Sequence, residues 1–479
     1  MYGERLVQGL IILLLTLFLP AQAVAQQTLG EWSPPINLSN TPTPSTTPLV
    51  AADVLGNVHV VWGELGLDSG LNSPDTIYYK RLSDELWSDP IDVLAAGEGS
   101  IAVPDALQVD HQDRLVLVWH QSRRLNISSA DANNAGSAQA WLTDVLEPNA
   151  SIFSADLVID NSGRYHVVYA RDTNELVYLS SYDNGLTWSI PVIVATITDN
   201  KFALGLVSIA VDANDQIVVS WTRHSEETNW GPAGVWFSRS SDGGQNWTTA
   251  LEVAPGQGYG ASELFVDTDG RFHLVWIGNL AVGGRYYRWS TDGGRSWSDE
   301  VTIASPDQAR GYAGPPVLMQ DSSDTIHLVF PGLGSGRPDS IWHTRLVDQS
   351  WSPAQYISGG SPDSQGPSAT MLLGHQIHAV WIEYGTNDIW YSVYGTGSPA
   401  MLPKLITEEA ASVVPTQVAS AMELTAVSTP TTAVPSTPDI NTTRGPAVNP
   451  AVTLMIGVLP SLFVVGGVLL FSLRRRQTR

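Results

Sequence analysis

The sequence predicts an all-β protein that folds as a seven-bladed β-propeller. A phrase of the form D-x-x-G-x-x-H-V-V-W recurs seven times at intervals of about fifty residues, a period typical of propeller blades. Each copy is surrounded by segments rich in β-branched and aromatic residues, which favour strands. The phrase ends at Trp62, Trp119, Tyr169, Trp221, Trp276, Phe330 and Trp381. So regular a repeat indicates one four-stranded sheet for each copy.

The repeats contain segments for four strands each. An apolar run, for example residues 263–267, is predicted to form the innermost strand, and a polar turn leads from it to the recurring phrase, which forms the second strand. A third segment such as residues 286–290 follows. After a further turn, the fourth strand begins at a tryptophan, as at Trp297.

The second repeat departs from this pattern after its second strand. Residues 120–148 are largely polar and are interpreted as either a degenerate outer half of a blade or a long insertion. If this repeat is not a blade, the ring has six blades instead of seven, and the sequence leaves that alternative open.

The last repeat, residues 366–394, contains only three strand segments. Its missing fourth strand is predicted at the other end of the chain, where residues 31–39 (EWSPPINLS) match the fourth-strand segment at residues 351–358 (WSPAQYIS). An N-terminal strand in the last blade would close the ring and remove an open sheet edge that promotes aggregation.

A turn of the form S-x-D-x-G-x-x-W joins the third and fourth strands of three repeats. Its Ser and Asp side chains can hydrogen-bond to the turn backbone, its Gly accepts a positive φ, and its Trp packs back under the hairpin. The turns are therefore interpreted as structural. Their residues are Ser181, Asp183, Gly185, Trp188, Ser240, Asp242, Gly244, Trp247, Ser290, Asp292, Gly294 and Trp297.

These turns resemble the Asp boxes, or BNR repeats, of the sialidase (neuraminidase) superfamily. The resemblance extends over residues 27–394 as a fold and implies boxes on the face opposite the active site. In that superfamily an arginine triad binds the substrate carboxylate, a tyrosine assisted by a glutamate is the nucleophile, and an aspartate is the acid/base. The superfamily's Arg-Ile-Pro signature is absent from this sequence, so the motif does not transfer the catalytic residues.

Four arginines lie in loops predicted on the face opposite the boxes. Arg123, Arg171 and Arg223 follow the second strands of three consecutive repeats, and Arg310 precedes a first strand. If they converge near the axis, their guanidinium groups could bind a carboxylate in bidentate fashion. The alternative is that they lie on solvated loops.

Aromatic and acidic residues in the same loops supply the other candidates. Tyr312 and Tyr259 precede first strands, and either could act as a nucleophile with Glu226 or Glu263 as its base; alternatively the tyrosines line the pore mouth. Two further aromatic residues are candidate sugar platforms, with simple loop packing as the alternative; they are Trp230 and Tyr384.

Five histidines share one position in the second strands and are expected to pack between blades. They are His59, His166, His273, His327 and His378. Acidic turns such as residues 267–270 lack the twelve-residue spacing and terminal Glu of a calcium loop and are interpreted as hairpin turns. We expect no metal and no cofactor.

Both ends of the chain carry apolar segments. The domain organisation that we expect is a signal peptide at 1–25, a propeller at 27–397, a Thr/Pro/Ser-rich stalk at 404–450, a transmembrane helix at 451–473 and a basic cytoplasmic tail at 474–479. The protein is thus expected in the cell membrane as a single-pass protein with its propeller outside.

Composition limits the possible functions. The chain has no cysteine, which excludes disulfides, and its net charge of −23 argues against nucleic-acid binding. We expect a monomer that binds an extracellular glycan or glycoprotein through the loop face. The alternatives are an active exo-sialidase or other glycoside hydrolase, and a protein–protein interaction scaffold.

Overall fold

A computed structural model of the chain shows seven antiparallel sheets arranged as a closed ring. The innermost strand of each sheet packs against the innermost strand of the next, and that of the seventh packs against that of the first. This confirms the prediction of an all-β, seven-bladed propeller. The structure describes residues 29–66, 74–97, 99–256, 258–279, 281–311, 314–333, 339–358 and 363–402.

Blades are numbered 1 to 7 along the chain, and strands first to fourth from the axis outward. The first strands are Ser45–Ala52, Val103–Val109, Ile152–Ile159, Phe202–Val211, Tyr259–Val266, Val317–Gln320 and Ser364–Leu372. The second strands are Val58–Glu64, Arg114–Gln121, Tyr165–Arg171, Ile217–Ser225, Phe272–Gly278, Ile326–Leu333 and Gln376–Glu383. The third strands are Thr76–Ser83, Arg124–Asp131, Glu175–Ser181, Gly231–Ser240, Arg285–Ser290, Asp339–Val347 and Asp388–Gly395.

The fourth strands are short and lie at the rim. In blades 1 and 6 the fourth strand is divided into two pieces, both paired with the third strand. Two 3-10 helices, Ala138–Ala140 and Glu226–Thr228, interrupt connections in blades 2 and 4. The fourth strands are Leu86–Trp87 with Ile91–Ala95, Leu142–Glu147, Val192–Thr196, Leu251–Pro255, Val301–Ala304, Ser350–Trp351 with Gln355–Tyr356, and Ile36–Asn37.

The hydrophobic core is divided into layers between blades. Within the described residues, seven apolar clusters form, one for each pair of neighbouring blades including blades 7 and 1. Trp62, Trp276 and Trp381 of the recurring phrase are almost fully buried in these layers. A buried tryptophan removes roughly 150–250 Å² from water, worth about 4–6 kcal/mol, so this residue of the phrase contributes strongly to the packing of these three blades.

Blade 2 is complete, and this removes the six-bladed alternative. Its third strand, Arg124–Asp131, and its fourth, Leu142–Glu147, occupy the segment interpreted as a degenerate half or an insertion. The insertion interpretation was wrong and the outer-half interpretation was right: the third strand buries Leu125 and Ile127 together with the polar Asn126 and Ser128. Ser128 is fully buried, accepts a hydrogen bond from the Trp119 indole at 2.8 Å and pairs with Thr143 at 2.7 Å.

The N-terminal segment closes the ring as predicted. Ile36–Asn37 pairs with Tyr391 and Trp390 in the third strand of blade 7, and Trp32 forms a bridge to Tyr394. Backbone hydrogen bonds flank the pairing at residues 33 and 38. The open edge of blade 7 is thereby occupied by residues more than 350 positions away in sequence.

The S-x-D-x-G-x-x-W turns have the internal bonds that the sequence predicts. In blade 3, Ser181 Oγ donates to Asp183 at 2.8 Å and accepts the Gly185 amide at 2.9 Å, while the Trp188 indole donates to the Gly185 carbonyl at 3.1 Å. Gly185 has a φ of 85°. The turn of blade 4 repeats all three contacts, and that of blade 5 repeats the two made by its serine.

Arginines from the preceding blade bind two of these turns. Arg114 of blade 2 donates to the Asn184 carbonyl at 3.1 Å, and Arg164 of blade 3 donates to the Gly243 carbonyl at 2.6 Å. The turns therefore help to join neighbouring blades. The motif recurs in the sequence because the turn has the same structural role in each of these blades.

The second-strand histidines are buried, but their polar contacts lie within their own blades. In blade 3, His166 contacts Tyr178 Oη at 2.7 Å and Asp160 at 3.1 Å. Asp160 also accepts the amides of its own turn, which is an ordinary hairpin turn. The expectation of packing between blades is thus corrected in part, because an Asp–His–Tyr chain within the blade fixes the rings of His59, His166 and His273. His327 contacts Asp321 and His343, and His378 contacts Tyr391.

Several predicted segments lie outside the described residues: the signal peptide, the stalk, the transmembrane segment 451–473 and the basic tail. Among the residues that the structure does describe, no helix has the length and apolar character required to cross a bilayer.

Candidate functional site

Antiparallel order places the connections of every blade on two opposite faces. The turns between first and second strands and between third and fourth strands share one face, called the lower face here. The turns between second and third strands and the connections between blades share the other, called the upper face. The hydrogen-bonded S-x-D-x-G-x-x-W turns of blades 3, 4 and 5 lie on the lower face, whereas Arg123, Arg171 and Trp230 lie in or beside upper-face turns.

Arg171 is bound by two carboxylates. Its guanidinium contacts Glu147 of blade 2 at 3.1 Å and Glu175 of its own blade at 2.6 Å, and its side chain is only 23% exposed. Glu147 also accepts a hydrogen bond from Tyr169. Arg171 thus joins blades 2 and 3 and has little capacity left for a ligand.

Arg223 has a different environment, between two aromatic rings of blade 4. Its guanidinium carbon lies 3.6 Å from the centre of the Phe202 ring and 5.2 Å from that of Trp236. Within the described residues it makes no ion pair or hydrogen bond, and its Nε is buried without a partner. Burial raises the pKa of nearby Glu252, although the Arg223 charge opposes that rise.

The remaining two arginines are held by loop backbone. Arg123 is exposed and donates to the Asn149 carbonyl at 2.8 Å. Arg310 donates to the Pro306 carbonyl at 2.8 Å and lies 3.8 Å from Asp307. Arg123, Arg171 and Arg223 therefore have separate partners, and the structure does not bring the three together on one carboxylate-sized group.

Tyr259 is placed apart from both candidate bases. Its ring packs edge-on against Tyr286 with centres 5.4 Å apart, and the Tyr286 hydroxyl donates to the Gly283 carbonyl at 3.3 Å. Glu226 is exposed at the start of a 3-10 helix, and Glu263 accepts a hydrogen bond from Ser208 at 3.4 Å. Tyr259 makes no hydrogen bond to either glutamate. Tyr312 lies outside the described residues.

Glu263 belongs to a polar group along the first strands. Burial and the neighbouring Asp156 raise its pKa well above the usual range. Asp156 accepts the Ile209 amide at 2.9 Å, and Ser208 accepts the Leu264 amide at 3.0 Å. Asp156 and Ser208 thus satisfy free amides of the next blade's first strand, and Glu263 is joined to them through the Ser208 hydroxyl.

Trp230 is displayed on the upper face, and Tyr384 is not. Trp230 is 36% exposed and has a φ of 62°, directly after Asn229 at 54°. Its amide donates to the Ser225 carbonyl at 2.8 Å, and its carbonyl accepts from His224 at 2.7 Å. Tyr384 is partly buried against the core between blades 7 and 1.

The sequence analysis missed the two rings beside Arg223. Trp236 pairs directly with Trp221 across the second and third strands, and Arg223 lies two positions beyond Trp221. Alternate residues of a strand share a face, so Arg223 lies on the same face as Trp221 and near its partner Trp236. The contact with Trp236 could therefore have been predicted from the pairing of the two strands. The contact between Phe202 and Arg223 could not be predicted in this way, because it depends on the loop that precedes the first strand.

Comparison with known proteins identifies the fold. No family model matches the chain, and no curated protein sequence matches it. Among solved structures, the lectin BP39L from Burkholderia pseudomallei is 11% identical, with a TM-score of 0.55, over 76% of this chain and 99% of the lectin. A polysaccharide lyase of family PL25, an ulvan lyase, is 11% identical, with a TM-score of 0.52, over 75% and 96%.

Similar structures also include sialidases. The intramolecular trans-sialidase from Ruminococcus gnavus is 15% identical, with a TM-score of 0.44, over 76% of this chain and 96% of the enzyme. At these identities the similarity concerns the propeller fold alone.

Proposed function

We propose that this protein is a carbohydrate-recognition propeller that binds an extracellular glycan on its upper face, around Trp230 and Arg223. The observation that carries the proposal is the conformation of Trp230, a large aromatic residue with a left-handed backbone and an exposed indole. Bulky residues avoid this conformation, which costs about 1–3 kcal/mol and persists where surrounding contacts enforce it, often at functional sites.

The turn around Trp230 supplies those enforcing contacts. Thr228 Oγ1 lies 2.9 and 2.7 Å from the carbonyls of Ser225 and Gly231 and shares its single hydrogen between them, in addition to the two backbone bonds of Trp230 itself. These bonds fix the backbone that carries the exposed indole. A preorganised aromatic face suits the apolar face of a sugar ring, because little conformational entropy is lost on binding.

Arg223 adds a polar anchor on the same blade. The flanking rings hold its guanidinium flat, and without a carboxylate partner its terminal N–H groups can bind sugar hydroxyls or an acidic substituent. A few fixed polar groups beside an aromatic surface are the usual composition of a small-molecule site.

The structural comparisons support the same class. The two proteins with TM-scores above 0.5 are described as a lectin and a polysaccharide lyase, so this propeller shape occurs in proteins that handle carbohydrates. Fold alone does not fix function. The predicted signal peptide and membrane helix would place the upper face outside the cell, with access to glycans and glycoproteins.

Binding is preferred to catalysis because the candidate catalytic groups are separated. A tyrosine nucleophile and the glutamate that assists it must come within hydrogen-bond reach of each other. Among the described residues, the Tyr259 ring packs edge-on against Tyr286, and Tyr259 makes no hydrogen bond to Glu226 or Glu263. A catalytic role for Tyr312 stays a prediction from the sequence.

A matched pair of aromatic variants tests the proposal. A glycan array with the full-length protein identifies a bound sugar, and titration then compares Trp230→Ala with Tyr182→Ala, which removes a 77% exposed ring from the lower face. We expect Trp230→Ala to weaken binding by about tenfold, roughly 1.4 kcal/mol, and Tyr182→Ala to leave it unchanged. Equal effects of the two variants, or an array without any bound glycan, would refute the proposed function.

A further inference from the structure

Blade 2 carries a second cleft on the upper face, of about 330 Å³. It lies where the turn between the second and third strands meets the connection from blade 1. Five polar residues line it: Ser100, Gln121, Ser122, Arg123 and Arg124. No acidic residue contributes to this lining within the described part of the chain.

The turn geometry directs both arginines to the same edge of the blade. Gln121 and Arg124 form the last pair between the second and third strands, so only Ser122 and Arg123 lie in the turn. Arg123 is fixed by its bond to the Asn149 carbonyl at 2.8 Å, which leaves its other N–H groups available. Ser122, next to Arg123 in the turn, joins the two sides of the cleft, because its Oγ lies 3.3 Å from the Oγ of Ser100.

The charge of this cleft is unusual for the molecule. The chain has a net charge of −23, yet two adjacent guanidinium groups are exposed here. Arg124 forms no ion pair within the described residues, in contrast to Arg114, Arg171 and Arg310. Neighbouring like charges repel, and a bound anion would relieve that repulsion while accepting hydrogen bonds from the arginines and serines.

We infer that this cleft binds an oxyanion, a carboxylate or sulfate ester, carried by an acidic polysaccharide. The inference rests on the proposed function and extends it by naming the class of sugar. The cleft then acts as a charged subsite on blade 2, separate from the aromatic site on blade 4. An extended acidic chain would contact both, and its affinity would fall with salt because the arginines are exposed.

The test compares three oligosaccharides of equal length: a uronic-acid oligomer, a sulfated galactan and a neutral galactan. The full-length protein is titrated with each at low and at high salt. The variant Arg123→Gln/Arg124→Gln is set beside Arg295→Gln, which removes an exposed arginine from a lower-face turn. Unchanged melting temperatures show that each variant folds.

We expect the wild-type protein to bind at least one acidic probe more than tenfold more tightly than the neutral probe. The double variant should lose this preference, and Arg295→Gln should retain it. The uronic-acid and sulfated probes decide which oxyanion is preferred. Neutral and acidic probes bound equally, or an acidic preference kept by the double variant, overturns the cleft inference and leaves the proposed function intact. Failure of all three probes overturns both.

Discussion

At the scale of single residues, two blades hold the same three polar side chains in different states. In blade 1, Glu64 accepts hydrogen bonds from Thr43, from Ser45 at 2.8 Å and from the Trp62 indole at 2.8 Å. In blade 7 the equivalent residues have buried polar atoms without partners within the described residues; they are Ser364, Trp381 and Glu383. Blades 1 and 7 therefore allow a hydrogen-bonded buried carboxylate, that of Glu64, to be compared with one that has an unpaired oxygen, that of Glu383.

Glu383→Gln is expected to stabilise the protein at pH 8 and to have little effect at pH 5. Burial, with a further contribution from Asp388, raises the pKa of Glu383 to about 7 from 4.5. The folded state thus holds this proton more tightly, so stability falls as pH rises from about 4.5 to 7, and glutamine removes that loss of about 1–3 kcal/mol. Urea midpoints at the two pH values measure it.

Glu64→Gln is the matched control. The amide cannot accept from all three donors, so this variant should lower the free energy of unfolding by about 1–3 kcal/mol, and with it the urea midpoint, at both pH values. A Glu383→Gln midpoint below that of the wild-type protein at pH 8 would contradict the assignment of an unpaired carboxylate.

The sequence predicts residue roles only where both partners are local. The Ser, Asp, Gly and Trp of each lower-face turn lie within eight positions, so their bonds follow from the motif. Arg171 is different, because one of its carboxylates, Glu147, belongs to another blade whose outer strands the sequence did not resolve. Pairing between blades decides which arginine is available, and the repeat pattern does not contain that information.

At the scale of elements, the lower-face turns have two tasks: they reverse the chain and they pack against the preceding blade. Gly244 shows both requirements. Its φ is 87°, and a Cβ at this position would lie 2.1 Å from the Tyr178 ring of blade 3. Gly270, in a turn between first and second strands, has a φ of 77° but no heavy atom within 4 Å of such a Cβ.

Gly244→Ala and Gly270→Ala should therefore separate the two tasks. Both variants force alanine into a left-handed conformation, which costs about 1–2 kcal/mol. Gly244→Ala alone also overpacks the interface between blades, at about 1–3 kcal/mol more. Urea unfolding of the two variants measures the difference, and equal losses of stability would show that the turn does not pack as described.

Strands were predicted most clearly where the recurring phrase is intact. The third strand of blade 2 buries Leu125 and Ile127, but it also buries Asn126 and Ser128, which are satisfied by hydrogen bonds. Because polar side chains fill part of its buried positions, hydrophobic periodicity gives a weaker signal for this strand. Blade count came instead from the regular spacing of the second strands.

At the scale of the whole molecule, the position of every loop depends on the closed ring. Closure fixes the order of blades and assigns every loop to one of two faces, and this separates the face that carries the S-x-D-x-G-x-x-W turns from the face of the proposed site. The match between residues 31–39 and 351–358 allowed closure to be predicted from the sequence. It was predictable because every blade needs a fourth strand and the last repeat lacks one.

The most direct test of closure is a disulfide between the two ends of the propeller. Ser33 Oγ lies 3.2 Å from Ser392 Oγ. The natural chain contains no cysteine, so two introduced cysteines would be its only thiols. Ser33→Cys/Ser392→Cys should oxidise within the monomer, with a mass loss of about 2 Da and a raised melting temperature. The mismatched pair Ser33→Cys/Ser298→Cys, which involves blade 5, should not. Free thiols in the folded monomer, or disulfides only between chains, would contradict the closed seven-bladed ring.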